Sequence, residues 1–190
     1  MREIALHILD IAENSISAGA DQVKIQINED LTEDLLQIKI SDNGKGMDAE
    51  TLEKITDPFI TSRTTRKVGL GIPFFKAAAE ACDGGFSIQS QPGLGTDVSV
   101  YFKHSHIDRM PLGNIASTFL SLLLGTPDIH WIYEHSVNEK NFVFDDQPIK
   151  EALDGLPLTE PAVMKYIRES FEEGIDMLYE TDSITLESTN

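Results

Sequence analysis

The chain has 190 residues, 41% of them apolar, and a formal charge of −17. That length suits one domain with a modest appendage, and that apolar fraction excludes a disordered chain. The charge repels phosphate backbones and anionic lipid, which excludes nucleic acid and membrane surfaces as partners.

The single cysteine, Cys82, has no partner for an internal disulfide or a thiolate metal knuckle. Ala79, Ala81 and Phe86 around it point to a buried helix end. At the N-terminus, Asp10 and Glu13 interrupt any apolar leader. The greasiest stretch, Ile115 to Leu124, is too short to span a bilayer. A cytoplasmic protein is expected.

In chain order, residues 3–18 carry Ile4, Ile8, Ile11 and Ala12 at helical spacing, and Gly19 supplies the stop. Val23, Ile25 and Ile27 alternate, then Leu36, Ile38 and Ile40, so two strands are expected across a polar turn from Glu29 to Asp34. Asp48 caps a short helix running through Ile55. Residues 57–68 lack periodicity and read as a loop that holds the dense basic cluster of Arg63, Arg66 and Lys67. Gly71 opens a helix with Pro73 in its first turn, and Asp83-Gly-Gly85 ends it. Phe86 and Ile88, then Val98, Val100 and Phe102, form a strand pair around Pro92-Gly-Leu-Gly95. This order predicts an α+β fold: a two-layer sandwich with helices on one face of a mostly antiparallel sheet.

Past residue 103 the character changes. Residues 104–190 hold 16 acidic and 5 basic side chains. Leu112 to Leu124 reads as a helix. Ile129, Trp131 and Tyr133, then Val143 and Phe144, read as a hairpin turning at Asn138 to Asn141 that packs a small sheet onto the first part. Pro161 to Leu178 reads as a last helix, capped by Thr159. Two parts are therefore expected, 1–103 and an acidic extension, 104–190, which is a candidate docking region for a partner.

Three segments carry chemistry. In Leu9-Asp-Ile-Ala-Glu-Asn-Ser-Ile-Ser-Ala-Gly-Ala20, Asp10 and Asn14 share a helix face. An amide oxygen suits magnesium, and a carboxylate beside it can take a proton from water. Alone, this pattern is better explained as a wet polar face. In Asp42-Asn-Gly-Lys-Gly-Met47, a carboxylate at a strand end can accept from an exocyclic amine, and the glycines admit a flat base. Asn-Gly is also a common turn. In Asp57-Pro-Phe-Ile-Thr-Ser-Arg63, Val68-Gly-Leu-Gly-Ile72 and Pro92-Gly-Leu-Gly-Thr96, glycines place N–H groups at a helix start, where anions are favoured.

In order and spacing, these segments resemble the GHKL ATPases: DNA gyrase, mismatch-repair ATPases, heat-shock chaperones of the ninety-kilodalton class and histidine kinases. The Pro-Phe segment, Gly-x-Gly turn and Gly-Thr hairpin resemble the histidine-kinase branch. The resemblance spans residues 4–103 and implies the Bergerat-type fold with ATP and Mg2+ as ligands. It implies Asn14 on the metal and Asp42 on the adenine amino group. Gly44, Gly46 and Met47 would shape the base pocket, and Thr96 would support the base through water on Asp42. Gly69, Leu70 and Gly71 would meet the phosphates, and Arg63, Arg66 or Lys67 can neutralise their charge. Hydrolytic members place Glu where Asp10 stands, so Asp10 is the expected catalytic base, one methylene shorter.

A helical segment with a phospho-accepting histidine is not expected before the first motif, and His7 would be a cramped acceptor. His104, His106 and Asp108 have the donor types for zinc but read better as solvated or hydrogen-bonded histidines. The expected protein binds Mg-ATP and acts on a separate protein partner; a homodimer is one assembly the resemblance allows. Three functions stay open: a protein kinase, like the anti-sigma-factor kinases, an ATP/ADP-responsive interaction module, and a weak ATPase.

Overall fold

The computed structural model describes residues 3–56 and 71–180. Its elements are α1 (Ile4–Ser17), β1 (Gln22–Asp30), β2 (Leu35–Asp42), α2 (Ala49–Thr56), α3 (Gly71–Glu80), β3 (Gly85–Gln91), β4 (Gly95–Lys103), α4 (Ile115–Gly125), β5 (His130–Val137), β6 (Lys140–Asp145), α5 (Gln147–Ala152) and α6 (Pro161–Tyr179).

Period-two alternation builds the sheet. Val23, Ile25 and Ile27 of β1, Leu36, Ile38 and Ile40 of β2, and Val98, Val100 and Phe102 of β4 are all buried. Their sequence neighbours face the other way and are largely polar. On that open face Lys24 pairs with Glu134 at 2.8 Å and Lys39 with Asp97 at 3.4 Å. The helices cover the buried face, with α1 inserting Ile4, Ile8, Ile11 and Ala12. The result is the two-layer sandwich expected from the element order.

The strands run β3-β4-β2-β1-β5-β6. Every neighbouring pair is antiparallel except β1 with β5, which is parallel. The hairpin expected to form a small separate sheet instead continues the main one. A parallel neighbour needs a long crossover, and residues 104–129 with α4 supply it.

Other boundaries moved for local reasons. Helix α4 starts at Ile115, not Leu112, because Gly113 has φ of 81° and the Asn114 side chain accepts the Ser117 N–H at 2.8 Å. Helix α6 is preceded by Glu160 in extended conformation, not capped by Thr159, and Glu160 makes no capping hydrogen bond through its side chain. Asp48 does cap α2, accepting from Thr51 N at 2.8 Å. Among the described residues no helix is long and apolar enough to cross a membrane.

Candidate functional site

Between α1, α2 and the ends of β2 and β4 lies a cavity of about 230 Å3. Asn14, Asp42, Gly46, Met47 and Thr96 all line it. These five sequence-expected residues come from three separate motifs. Strand pairing brings two of them together, since Asp42 stands directly opposite Thr96 in the β2–β4 register.

The Asp42 carboxylate is held from two sides. Ser15 Oγ donates to its Oδ2 at 2.7 Å, and the Gly44 N–H donates to Oδ1 at 2.9 Å. Ser15 is 2% exposed, so this hydrogen bond is shielded from water. A carboxylate oriented before a ligand arrives costs less to order on binding.

Ser90 braces the other wall. Met47 N donates to Ser90 Oγ at 2.9 Å, Ser90 Oγ donates to the Gly95 carbonyl at 3.0 Å, and Thr96 Oγ1 lies 2.9 Å from Ser90 Oγ. Gly46 must be glycine here. Its φ is 62°, and a Cβ would fall 1.9 Å from the Gln91 carbonyl oxygen.

The remaining lining is largely apolar, with Ile11, Ile55, Ile72 and Val98 as walls. Sequence reasoning did not single out these residues for the site, nor Ser15 and Lys45. Ser15 and Lys45 sit inside the quoted motifs, so the signal was adjacency. Ile72 closes the quoted Val68-Gly-Leu-Gly-Ile72 motif and is marked in the same way, whereas Ile55, on α2, carries no local mark.

Three expected residues stand apart from the cavity lining. Gly44 lies behind Asp42, as its hydrogen bond requires. Gly71 opens α3 against Asp10: a Cβ on Gly71 would fall 2.8 Å from Asp10 Cβ. Asp10 is half-buried, and this burial raises its carboxyl pKa above the usual range. Arg63, Gly69 and Leu70, with the rest of residues 57–70 including Arg66 and Lys67, lie outside the described residues.

The cavity's chemistry fits a purine nucleotide and a hard cation. Apolar walls suit a flat base, and a fixed carboxylate suits its exocyclic amine. The half-buried Asn14 amide makes no hydrogen bond among the described residues, which leaves its oxygen free for a metal.

His104 and His106 lie beside different carboxylates, and only His104 is hydrogen-bonded to its own. His104 Nε2 donates to Glu29 Oε2 at 2.8 Å, while His106 Nε2 lies 3.8 Å from Asp83. They therefore do not share a zinc site with Asp108. His130, Asp145 and Asp146 come close enough for a metal, but the Lys150 ammonium sits 2.7 Å from Asp146 Oδ2 and already supplies a cation. His7 is buried and stacked on Phe75 at 4.9 Å, with no partner for Nδ1 among the described residues. Burial lowers its pKa to about 4.

Glu29 is the best-satisfied buried acid. Burial works against its charge, but hydrogen bonds from His135, Tyr179 and His104 outweigh that and bring its pKa to about 2. His135 Nε2 donates at 3.0 Å, and Tyr133 O–H completes the chain to His135 Nδ1 at 2.9 Å.

Residues 2–106 match the family of histidine kinase-, DNA gyrase B-, and HSP90-like ATPases. The sensor protein kinase FleS of Pseudomonas aeruginosa is 38% identical over 89 residues, covering 47% of this chain and 22% of its own length. The sensor histidine kinase YvrG of Bacillus subtilis is 28% identical over 94 residues, again 47% of this chain but 16% of its own. The chain thus spans less than a quarter of either relative. Among solved structures, the Aquifex aeolicus MutL ATPase domain complexed with ADP aligns at a TM-score of 0.53 and 14% identity, over 90% of this chain and 70% of that one. That likeness is one of fold.

Proposed function

Because the chain belongs to the histidine kinase-, DNA gyrase B-, and HSP90-like ATPase family, we propose that it binds Mg-ATP in the cavity beside Asp42 and acts through it on a separate protein. The carrying observation is the Asp42 carboxylate, pinned by Ser15 and Gly44 at the end of an apolar-walled cavity. It accepts from the adenine amino group, while Met47 and the apolar walls exclude water from the base.

Asn14 holds the metal through its amide oxygen. Bound ATP supplies a transferable terminal phosphoryl group. Asp10, one helical turn from Asn14, serves as the proton acceptor for water or for a partner's hydroxyl. Its raised pKa brings it closer to the operating pH, as a general base requires. Arg63 with Gly69, Leu70 and Gly71 attends the phosphates. An ATP-dependent activity suits the cytoplasm, and the acidic residues 104–190 are the part a protein partner would meet.

One observation favours a second reading, an ATP/ADP-responsive module without turnover. Asp10 packs against Gly71 and stands outside the cavity lining.

The deciding experiment gives the protein magnesium and ATP labelled on the terminal phosphate. Released phosphate or labelled protein, abolished by Asp42→Asn and by Asp10→Asn, supports an enzyme. Bound, intact ATP whose affinity falls only with Asp42→Asn supports the module. ATP affinity unchanged by Asp42→Asn refutes the site.

A further inference from the structure

Beyond the family-matched residues, α5 and the first turns of α6 frame an apolar groove of about 460 Å3. Ile149, Ala152 and Leu153 form one wall, and Ala162, Val163 and Tyr166 form the other. Helical spacing explains the double duty of α6. Ile167, Phe171 and Leu178 point into the core, while Ala162, Val163 and Tyr166 make a second stripe along the groove, with Ala162 and Tyr166 exposed and Val163 partly buried against the core. Tyr166 is 64% exposed, and Leu156 in the turn between the two helices is 54% exposed. A large aromatic ring at the edge of a groove is a typical interface anchor.

The surround is acidic. Glu151 and Asp154 flank the α5 wall in sequence, Glu160 precedes the α6 wall, and all three are exposed. Farther along α6, Glu172, Glu173 and Asp176 are exposed as well. Two of the three cations in this region are already engaged, Lys150 with Asp146 at 2.7 Å and Lys165 with Glu169 at 3.7 Å. A ligand for this surface must bring apolar side chains for the groove and positive charge for its rim.

We propose that the groove receives a basic amphipathic helix of a partner protein. Leucine-like side chains would fill the space between Leu153 and Val163, with Tyr166 packing over them. Lysines or arginines on the flanks would meet Glu151, Asp154 and Glu160. A second copy of this chain is a poor occupant, because a chain of charge −17 would set acid against acid. The proposal gives a chemistry to the partner of the function proposed above, and it rests on that reading only for the partner's role.

The test titrates the full chain, without nucleotide, into a fluorescein-labelled model helix of leucines and lysines at helical spacing, read by anisotropy. Saturable one-to-one binding is expected, weakened about tenfold by Tyr166→Asp and by Ala162→Asp. A helix with glutamate in place of lysine should bind about tenfold more weakly. Both substituted positions are exposed, so the variants should fold, and a thermal melt checks this. Equal binding by the folded variants would mean diffuse charge attraction and would overturn the proposal. Equal binding of the glutamate helix would remove the basic partner, and a dimer in sedimentation that Tyr166→Asp dissolves would assign the groove to a second copy. ATP affinity, measured separately on the same variants, should not move. Loss of ATP binding in the parent protein would instead defeat the nucleotide reading and leave this result standing.

Discussion

On one side of β1, the layer under the sheet opens into a cavity with a carboxylate at its edge. On the other side the same layer is filled with rings. Phe119 stacks on Phe171 at 4.9 Å, Tyr133 packs on Phe171 at 4.8 Å, and Trp131 meets Phe119 edge-on at 6.2 Å. Val23 of β1 stands between the two regions, level with Asp42 of β2 and with Trp131 of β5. A binding cavity forgoes packing, and close packing is where the stability of a core comes from. The aromatic side holds β1 in place so that the other side can stay open.

The sharpest way to break that comparison is Phe171→Ala. It should cost about 3–5 kcal/mol of stability, as large-to-small changes of buried aromatics do. Urea unfolding checks this, and ATP affinity per folded molecule should hold. If affinity falls with stability, the two sides are not separable.

Next is pH. His7 has a pKa of about 4 in the folded protein against an ordinary 6.5. The unfolded chain therefore takes up the proton first. Stability is full above 6.5 and declines as pH falls toward 4, by up to about 3 kcal/mol. Denaturation at neutral pH and near the lower value should show the slope, and His7→Leu should flatten it. Glu29, on the aromatic side, acts in a lower window. Its stabilisation is present above 4.5 and is lost as pH falls through about 2.

Asp42→Asn should lower ATP affinity by about 1.5–3 kcal/mol, the worth of a hydrogen bond to a charged group. Calorimetric titration measures that loss, while the unfolding curve should barely shift. Tyr179→Phe should cost about 1–2 kcal/mol by removing one of the three donors to Glu29. An NMR titration should then find that carboxyl closer to its usual range. Lys39→Ala, on the open face, should change stability by less than about 0.5 kcal/mol, because the Lys39–Asp97 pair is half in water.

Much of the site is legible in the sequence because glycines and carboxylates with strict demands mark it. Gly46 has no room for a Cβ against the Gln91 carbonyl, and Asp42 closes a strand that alternation already reveals. Ser15 hid because a small polar residue on a helix reads as wet, whereas here it is buried under Asp42. Strand existence was legible for β5 and β6, but their place in the sheet was not. Alternation states which face of a strand is buried, not which strand lies beside it. Helix α5, with six residues, is too short to show a period. The aromatic alternation at Trp131 and Tyr133 was plain as core, yet its stacking on Phe119 and Phe171 depends on segments far apart in sequence.

The parallel pairing of β1 with β5 also bears on how the molecule is made. Partner residues across that pair, such as Gln26 and Glu134, are 108 positions apart. At ribosomal speeds of about 5–20 residues per second, β1 waits roughly five to twenty seconds with one edge bare. During that interval the nascent chain offers a ladder of unpaired N–H and C=O groups to any passing strand. A chain ending at residue 106, where the family match ends, would keep that edge for good. The later residues are thus an edge guard for the nucleotide half, and β1 cannot be fully sheltered until they have been synthesised.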